Sequence, residues 1–202
     1  MLLGPDQLAR FAPHCDAGVL APALSAACEA GQIDTPRRLS HFLGQIHAET
    51  MGLTRFVENL SYSTEALMRV WPHRFPTLAS CNGCVHNPEA LAAKVYGGRM
   101  GNVQPDDGWR FIGRGGLPIT GRDNYAHYGA KIEEDLIAHP ERAAWLSVWP
   151  RVSVAYWTDH DLNPLADIDA IEEITEAING GLIGLDERKA QVARAKAILG
   201  AT

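Results

Sequence analysis

The feature that most constrains this chain is the way its helices are punctuated. Thr35-Pro36 pairs a capping hydroxyl with a proline at the first helical position, and Gly52 supplies the stop. Between them Leu39, Phe42, Leu43 and Ile46 recur at helical spacing, so one face of this segment is apolar. Asn87-Pro88 repeats the device and predicts a short helix through Val95. Ser63 opens a helix that carries Leu67, Met68 and Trp71 and ends before Pro72. Pro140 begins a run through Trp145, Val148, Trp149, Val152, Ala155 and Tyr156 that reads as one largely buried helix. Asp167 or Asp169 caps the next, with Ile168, Ile171, Ile174 and Ile178 inside and Gly180-Gly181 closing it. A last amphipathic helix runs from about Asp186 to Leu199. Residues 72–86 and 97–116 read as loops, the second with room for short hairpin strands. The expectation is a mainly α chain, above roughly 45% helix against the ordinary third, folded as a single domain over residues 1–202 with two small lobes.

Composition narrows the partners. A net charge of −6 argues against a general nucleic-acid binder. The charge is uneven: residues 94–122 set Lys94, Arg99, Arg110, Arg114 and Arg122 against Asp106 and Asp107, whereas residues 131–176 are strongly acidic. A basic centre in an acidic shell suits an anionic ligand in a cleft, unless these charges are simply scattered and solvated. The start, Met-Leu-Leu-Gly-Pro-Asp-Gln-Leu, lacks the basic and apolar regions of a signal peptide, and no stretch is apolar enough to span a membrane. The chain is expected to be made in the cytoplasm as a monomer without stable membrane association. Cys81-Asn-Gly-Cys84, with His73 and His86 near it, invites a zinc reading, but one such pair is weak evidence beside reduced or redox-sensitive loop cysteines.

The chemistry is carried by Glu49 and Glu58. Glu49 lies seven residues after Phe42, at the edge of the apolar stripe, where desolvation favours a general acid; taken alone, a solvated glutamate near a helix end is the commoner case. Glu58 comes after Gly52 in a segment that reads as a loop or short strand returning across that end. Farther along the chain stands Gly113-Arg-Gly-Gly-Leu-Pro-Ile-Thr-Gly-Arg-Asp-Asn-Tyr125, rich in glycine, arginine and polar groups. Two carboxyls plus such a segment meet the needs of glycan cleavage: one protonates the leaving oxygen and the other activates water.

These stretches, with Val95-Tyr-Gly-Gly-Arg-Met-Gly-Asn102, Asp107-Gly-Trp-Arg-Phe111 and Ile178-Asn-Gly-Gly181, stand in an order and at a spacing that resemble the glycoside hydrolase family 19 catalytic domain, in its phage endolysin and prophage lysozyme form. The resemblance runs from about Leu39 to the C-terminus. It implies a lysozyme-like bilobal helical fold with a small β element and a cleft between lobes. It also implies inverting cleavage of β-1,4-linked N-acetylhexosamine chains without a cofactor. Carried over residue by residue, it makes Glu49 the general acid, Glu58 the general base and Thr120 the hydroxyl that positions water. His47, Tyr62, Tyr96, Arg99, Arg114, Asn124 and Asn179 become candidate substrate contacts.

Two departures stand out. Ala48, not histidine, directly precedes the first glutamate, with His47 one place earlier. Pro118 stands where the family usually has glutamine, so a side-chain amide and a backbone donor are missing. The expected polymer is peptidoglycan, reached from the cytoplasm through a holin or another export route. A chitinase and a non-hydrolytic glycan-binding protein are the alternatives.

Overall fold

The computed structural model describes residues 2–201. Eleven α-helices succeed one another among them: α1 Pro5–Phe11, α2 Ala17–Ala30, α3 Pro36–Thr50, α4 Thr64–Val70, α5 Pro88–Tyr96, α6 Asp107–Arg110, α7 Arg122–Lys131, α8 Trp149–Asp159, α9 Leu162–Asp167, α10 Ile171–Asn179 and α11 Leu185–Leu199. Short 3₁₀ turns occupy Leu78–Cys81 and Pro140–Ala144. β pairing among the described residues amounts to two isolated antiparallel bridges, Val57 with Arg114 and Arg114 with Ile119. The mainly α architecture expected from the sequence is present, while the expected small β element is reduced to these two bridges, with no strand among the described residues.

Three apolar clusters hold the molecule together. The largest joins α1, α2, α3 and α8 to α11 around Phe11, Leu24, Phe42, Ile46, Trp157 and Ile174. A second, smaller one gathers Leu60, Leu67, Phe75, Leu91, Val95 and Ile112. The third packs Phe111, Ile119, Tyr125 and Tyr128 against Val148 and Val152 of the α8 region. The loop between α3 and α4 leads from the first cluster into the second.

α3 begins as its sequence dictates, with Thr35 accepting the Arg38 N–H at 3.2 Å and Pro36 in the first turn. Its end is tighter than a glycine stop. Met51, Gly52 and Leu53 all take positive φ (53°, 78° and 61°), a conformation that only the glycine adopts cheaply. Thr50 holds the turn: its hydroxyl donates to the Ile46 carbonyl at 2.6 Å and accepts the Leu53 N–H at 2.9 Å. The chain is thereby turned back toward the site within a few residues.

Three expectations are corrected. The run from Pro140 is not one helix but a 3₁₀ turn, a break and then α8, because Pro150 lacks the N–H that a helix interior needs and fits only a first turn. Trp145 falls in that break, 51% exposed, over the Arg142 guanidinium. Neither Asp167 nor Asp169 caps α10, which starts after Ala170. Asp167 pairs with Arg38, and Asp169 lies 2.7 Å from His41 Nε2 and also accepts from Lys196. Ile168, expected inside, is 74% exposed at the end of α9, a helix the apolar spacing does not mark.

Candidate active site

Glu49 sits on the last turn of α3, one turn after Gln45 on the same face. α11 lies close along that face because Gly44 has no side chain. A Cβ there would stand 2.5 Å from Val192 Cγ2 and 3.0 Å from the Val192 backbone nitrogen. With Val192 against Gly44, Arg188, one turn earlier on α11, faces both Gln45 and Glu49. Its guanidinium donates to Gln45 Oε1 through Nη1 and to Glu49 Oε1 through Nη2. The Arg188 side chain is 6% exposed and that of Glu49 19%. Glu49 is therefore tethered through one oxygen.

Glu58 is positioned by backbone pairing. Its N–H donates to the Gly113 carbonyl at 2.9 Å, and the Gly115 N–H donates to the Phe56 carbonyl at 3.0 Å. The carboxylate returns to the same segment, where Oε1 accepts the Gly113 N–H at 2.5 Å and Oε2 accepts the Tyr96 hydroxyl at 2.7 Å. Burial, and after it the neighbouring Glu58 charge, pushes the Tyr96 phenol well above its ordinary pKa, so it stays a donor. A Cβ on Gly113 would stand 3.2 Å from both Glu58 Oε1 and Thr120 Oγ1. Glycine at this point lets the carboxylate and the hydroxyl flank one spot.

Arg114 and Ile119 close a tight hairpin by exchanging backbone hydrogen bonds at 3.2 and 3.0 Å. Leu117 N–H donates to Ser153 Oγ of α8 at 2.9 Å, and Phe56 stacks on Trp149 with centroids 4.6 Å apart. Glu49, Arg55, Phe56, Glu58, Pro118 and Thr120 line a shared cavity of about 250 Å³. Two carboxyls, a hydroxyl and space for water in one recess are what acid–base hydrolysis of an acetal requires.

The other sequence-predicted residues fall into two groups. Some support the cavity. Asn124 Nδ2 donates to the Thr120 carbonyl at 2.8 Å, and Arg114 donates to the Arg110 carbonyl and the Tyr125 hydroxyl at 2.7 and 2.9 Å. Arg99 donates to the Val95 carbonyl at 3.4 Å, beside Tyr96. Others lie apart from the cavity lining. Tyr62 packs edge-on against Trp71, with centroids 5.1 Å apart. Asn179 pins its own turn through the Gly181 and Ile183 carbonyls. His47 sets its ring edge-on to Phe11, and burial lowers its pKa.

The basic patch of residues 94–122 is largely consumed by the fold. Arg122 pairs with Asp107 at 3.2 Å, Arg110 is near Asp106, and Lys94 donates to the Ser80 carbonyl. Cys81 and Cys84 are buried in the second cluster, while His86 turns to Ser61 Oγ at 3.1 Å. Among the described residues no group of three or more His, Cys, Asp or Glu could hold a metal ion.

Sequence reasoning missed Gln45 and Arg188 as partners of Glu49. A signal existed for the second. Leu185, Arg188, Val192, Ala195 and Leu199 keep helical spacing, which puts an arginine on the apolar face of α11. An arginine there calls for a buried acceptor.

A helical scaffold with two carboxyls lining one cavity is an arrangement that glycoside hydrolysis can use. A scan against protein-family models finds no match. The chain is 34% identical over 191 residues to a glycosyl hydrolase family 19 domain-containing protein of Haemophilus influenzae, covering 93% of this chain and 92% of that one. In structure it is similar to a bacterial family 19 chitinase (TM-score 0.68, 22% identity, 100% of this chain and 97% of that chain). It is also similar to chitinase C of Streptomyces griseus HUT6037 (0.67, 20%, 100% and 78%) and to a class IV chitinase of Zea mays (0.58, 17%, 92% and 81%). This chain belongs to glycoside hydrolase family 19.

Proposed function

We propose that the chain is an inverting endo-glycosidase that cuts the β-1,4-linked N-acetylhexosamine backbone of peptidoglycan, in the manner of an endolysin. The supporting observation is the unequal dressing of two carboxyls that line one cavity. Glu58 receives a donor on each oxygen and can only accept, which suits the base. Glu49 is held through Oε1 alone, and its other oxygen is the one to carry a proton to the leaving group. In one turnover Glu58 takes a proton from a water held near Thr120. That water's oxygen attacks the anomeric carbon as the glycosidic C–O bond breaks, and Glu49 protonates the departing oxygen. Exchange with solvent returns a proton to Glu49 and removes one from Glu58.

Pro118 at the cavity lining offers no amide to the sugar, so Thr120, the Glu58 loop and the main chain around Gly113 carry more of the substrate contact. Reaching a wall polymer would require release through a holin or another export route. The second reading is a chitinase, favoured by the structural neighbours, which are chitinases.

The test is parallel digestion of purified peptidoglycan and chitohexaose, with products read by mass spectrometry and the fresh anomer by NMR. Glu49→Gln serves as the blank, with an expected rate loss of at least about 10²-fold. Muropeptides of inverted anomeric configuration, released by the wild type alone, support the proposal. Efficient cutting of chitohexaose with peptidoglycan intact assigns the chain to the chitinases.

A further inference from the structure

Arg55 is the cationic side chain of the cavity that the fold leaves uncommitted. It lines the recess together with Glu49 and Glu58, and it is exposed. Its backbone is fixed, because its N–H donates to the Thr50 carbonyl at 2.9 Å just after the turn of positive φ. Its guanidinium has no ion pair and no side-chain hydrogen bond among the described residues. The carboxylates that line the recess with it do not pair with it: both Glu58 oxygens are held by Gly113 and Tyr96, and Glu49 is drawn to Arg188 through Oε1. Arg114, Arg122 and Arg188 around the site all have partners within the protein.

We infer that Arg55 is a specificity-determining residue that reads a carboxylate borne by the glycan. The inference rests on the peptidoglycan reading and extends it to one side chain. A planar guanidinium matches a carboxylate through two parallel hydrogen bonds. An uncharged N-acetylglucosamine chain has nothing of that shape to offer. Peptidoglycan has two sources: the carboxylates of its stem peptides, and the lactyl carboxylate that is free wherever a stem has been removed. Either places an anion beside the backbone being cut. In the charge count Arg55 falls outside the basic segment at 94–122. The anion-binding cation therefore comes from the loop that also delivers Glu58, and substrate charge is read a few residues from the base.

The test compares kcat/KM of wild type, Arg55→Gln and Arg55→Lys on three glycans. These are strands with stems intact, strands stripped of stems, and stripped strands whose lactyl carboxyls have been converted to methylamides. The wild type should prefer one carboxylate-bearing strand over the methylamide by about tenfold. Arg55→Gln should bring that ratio near unity, and Arg55→Lys should keep part of it. Preference for intact strands identifies the stem peptide as the source, and preference for stripped strands identifies the lactyl group. The same ratio measured as binding affinity in a Glu49→Gln background makes the test independent of turnover. Arg55→Gln with an unchanged ratio overturns the role of Arg55 while leaving the peptidoglycan reading intact. A wild type that cuts chitohexaose but neither cuts nor binds any strand overturns both.

Discussion

Arg188 offers a direct test of how the site is built, because its effect can be measured without knowing the substrate. Methionine has similar length and no charge, so Arg188→Met keeps much of the packing while withdrawing both donors from Gln45 and Glu49. Removing one partner of a buried ion pair costs about 3–5 kcal/mol, chiefly because the other charge is left stranded. Glu49 is 19% exposed at the cavity, so water can relieve part of that penalty. Buried Gln45 cannot be relieved in the same way and loses an acceptor bond. Together these put the loss at or below the lower end of that range, about 2–3 kcal/mol. In a chain of this size that lowers the melting temperature by roughly 5–10 °C.

The control is the double substitution. Glu49→Gln leaves an amide oxygen for Arg188 but no counter-charge for a guanidinium that is only 6% exposed, so it should itself cost about 2–3 kcal/mol. Combining it with Arg188→Met removes the stranded charge, so the double variant should be more stable than the sum of the singles predicts, by more than about 1 kcal/mol. Urea unfolding of all four proteins at pH 7 gives the coupling energy. Additivity within about 0.5 kcal/mol, or an Arg188→Met protein as stable as wild type, would refute this account of Glu49.

Gly113→Ala adds a methyl that touches Glu58 Oε1 and Thr120 Oγ1 at 3.2 Å, so turnover should fall about 10²-fold while stability changes by less than about 1 kcal/mol. Full activity in steady-state kinetics would show that the two groups need not share that spot. Gly44→Ala should destabilise by about 1–3 kcal/mol despite its better helix propensity, since its Cβ meets Val192 side chain and backbone. Val192→Ala should recover only part of this in chemical denaturation, because the backbone contact remains. Burial, with Lys196 and Arg37 adding to it against Asp169, lowers the His41 pKa, and burial lowers that of His47. The folded protein thus binds these protons more weakly than the unfolded chain, and stability should be complete above about pH 6.5 and decline below it. A urea midpoint that stays flat or rises from pH 6.5 to 5 would contradict this.

The parts of the fold that could be read from the sequence are those whose ends carry their own signals. α3, α4 and α5 begin where Thr35, Ser63 and Asn87 accept an N–H from the first turn, a local interaction that needs no partner elsewhere. α9 and α10 have no side-chain cap, and Asp167 and Asp169, which look like caps, are drawn away by Arg38, His41 and Lys196 from distant helices. Apolar spacing also carried the run after Pro140 past the break before α8, although Pro150 marks it. The same division holds at the site. Glu49, Glu58 and Thr120 line one cavity and were legible from residue type and motif order. The Arg188 bridge and the Gly113 N–H on Glu58 depend on which helix and hairpin come to lie beside them. The charge count of residues 94–122 could not show which cation stands at the cavity: Arg122 and Arg110 face the two acids that count already included, Lys94, Arg99 and Arg114 are tied to neutral oxygens, and Arg55 of the cavity lining lies outside the segment.

The two carboxyls are anchored to different parts of the molecule, and this shapes what the site can tolerate. Glu49 is tied through Gln45 and Arg188 to α3 and α11, inside the largest cluster. Glu58 is tied to Gly113 and to Tyr96, which packs on the second cluster. Their separation is therefore set by how the hairpin seats on the large cluster more than by either anchor alone. Three contacts make that seat: Phe56 stacked on Trp149, Leu117 N–H on Ser153 Oγ, and Gly116 against the Trp149 ring, where a Cβ would stand 2.6 Å from ring carbons. None touches a reacting atom. Under the proposed inverting mechanism the gap must admit one water and one sugar, so a shift of an ångström at this seat would act on both carboxyls at once. Substitutions at Ser153 or Gly116 should accordingly lower kcat more than they disturb the separate hydrogen bonds of Glu49 and Glu58.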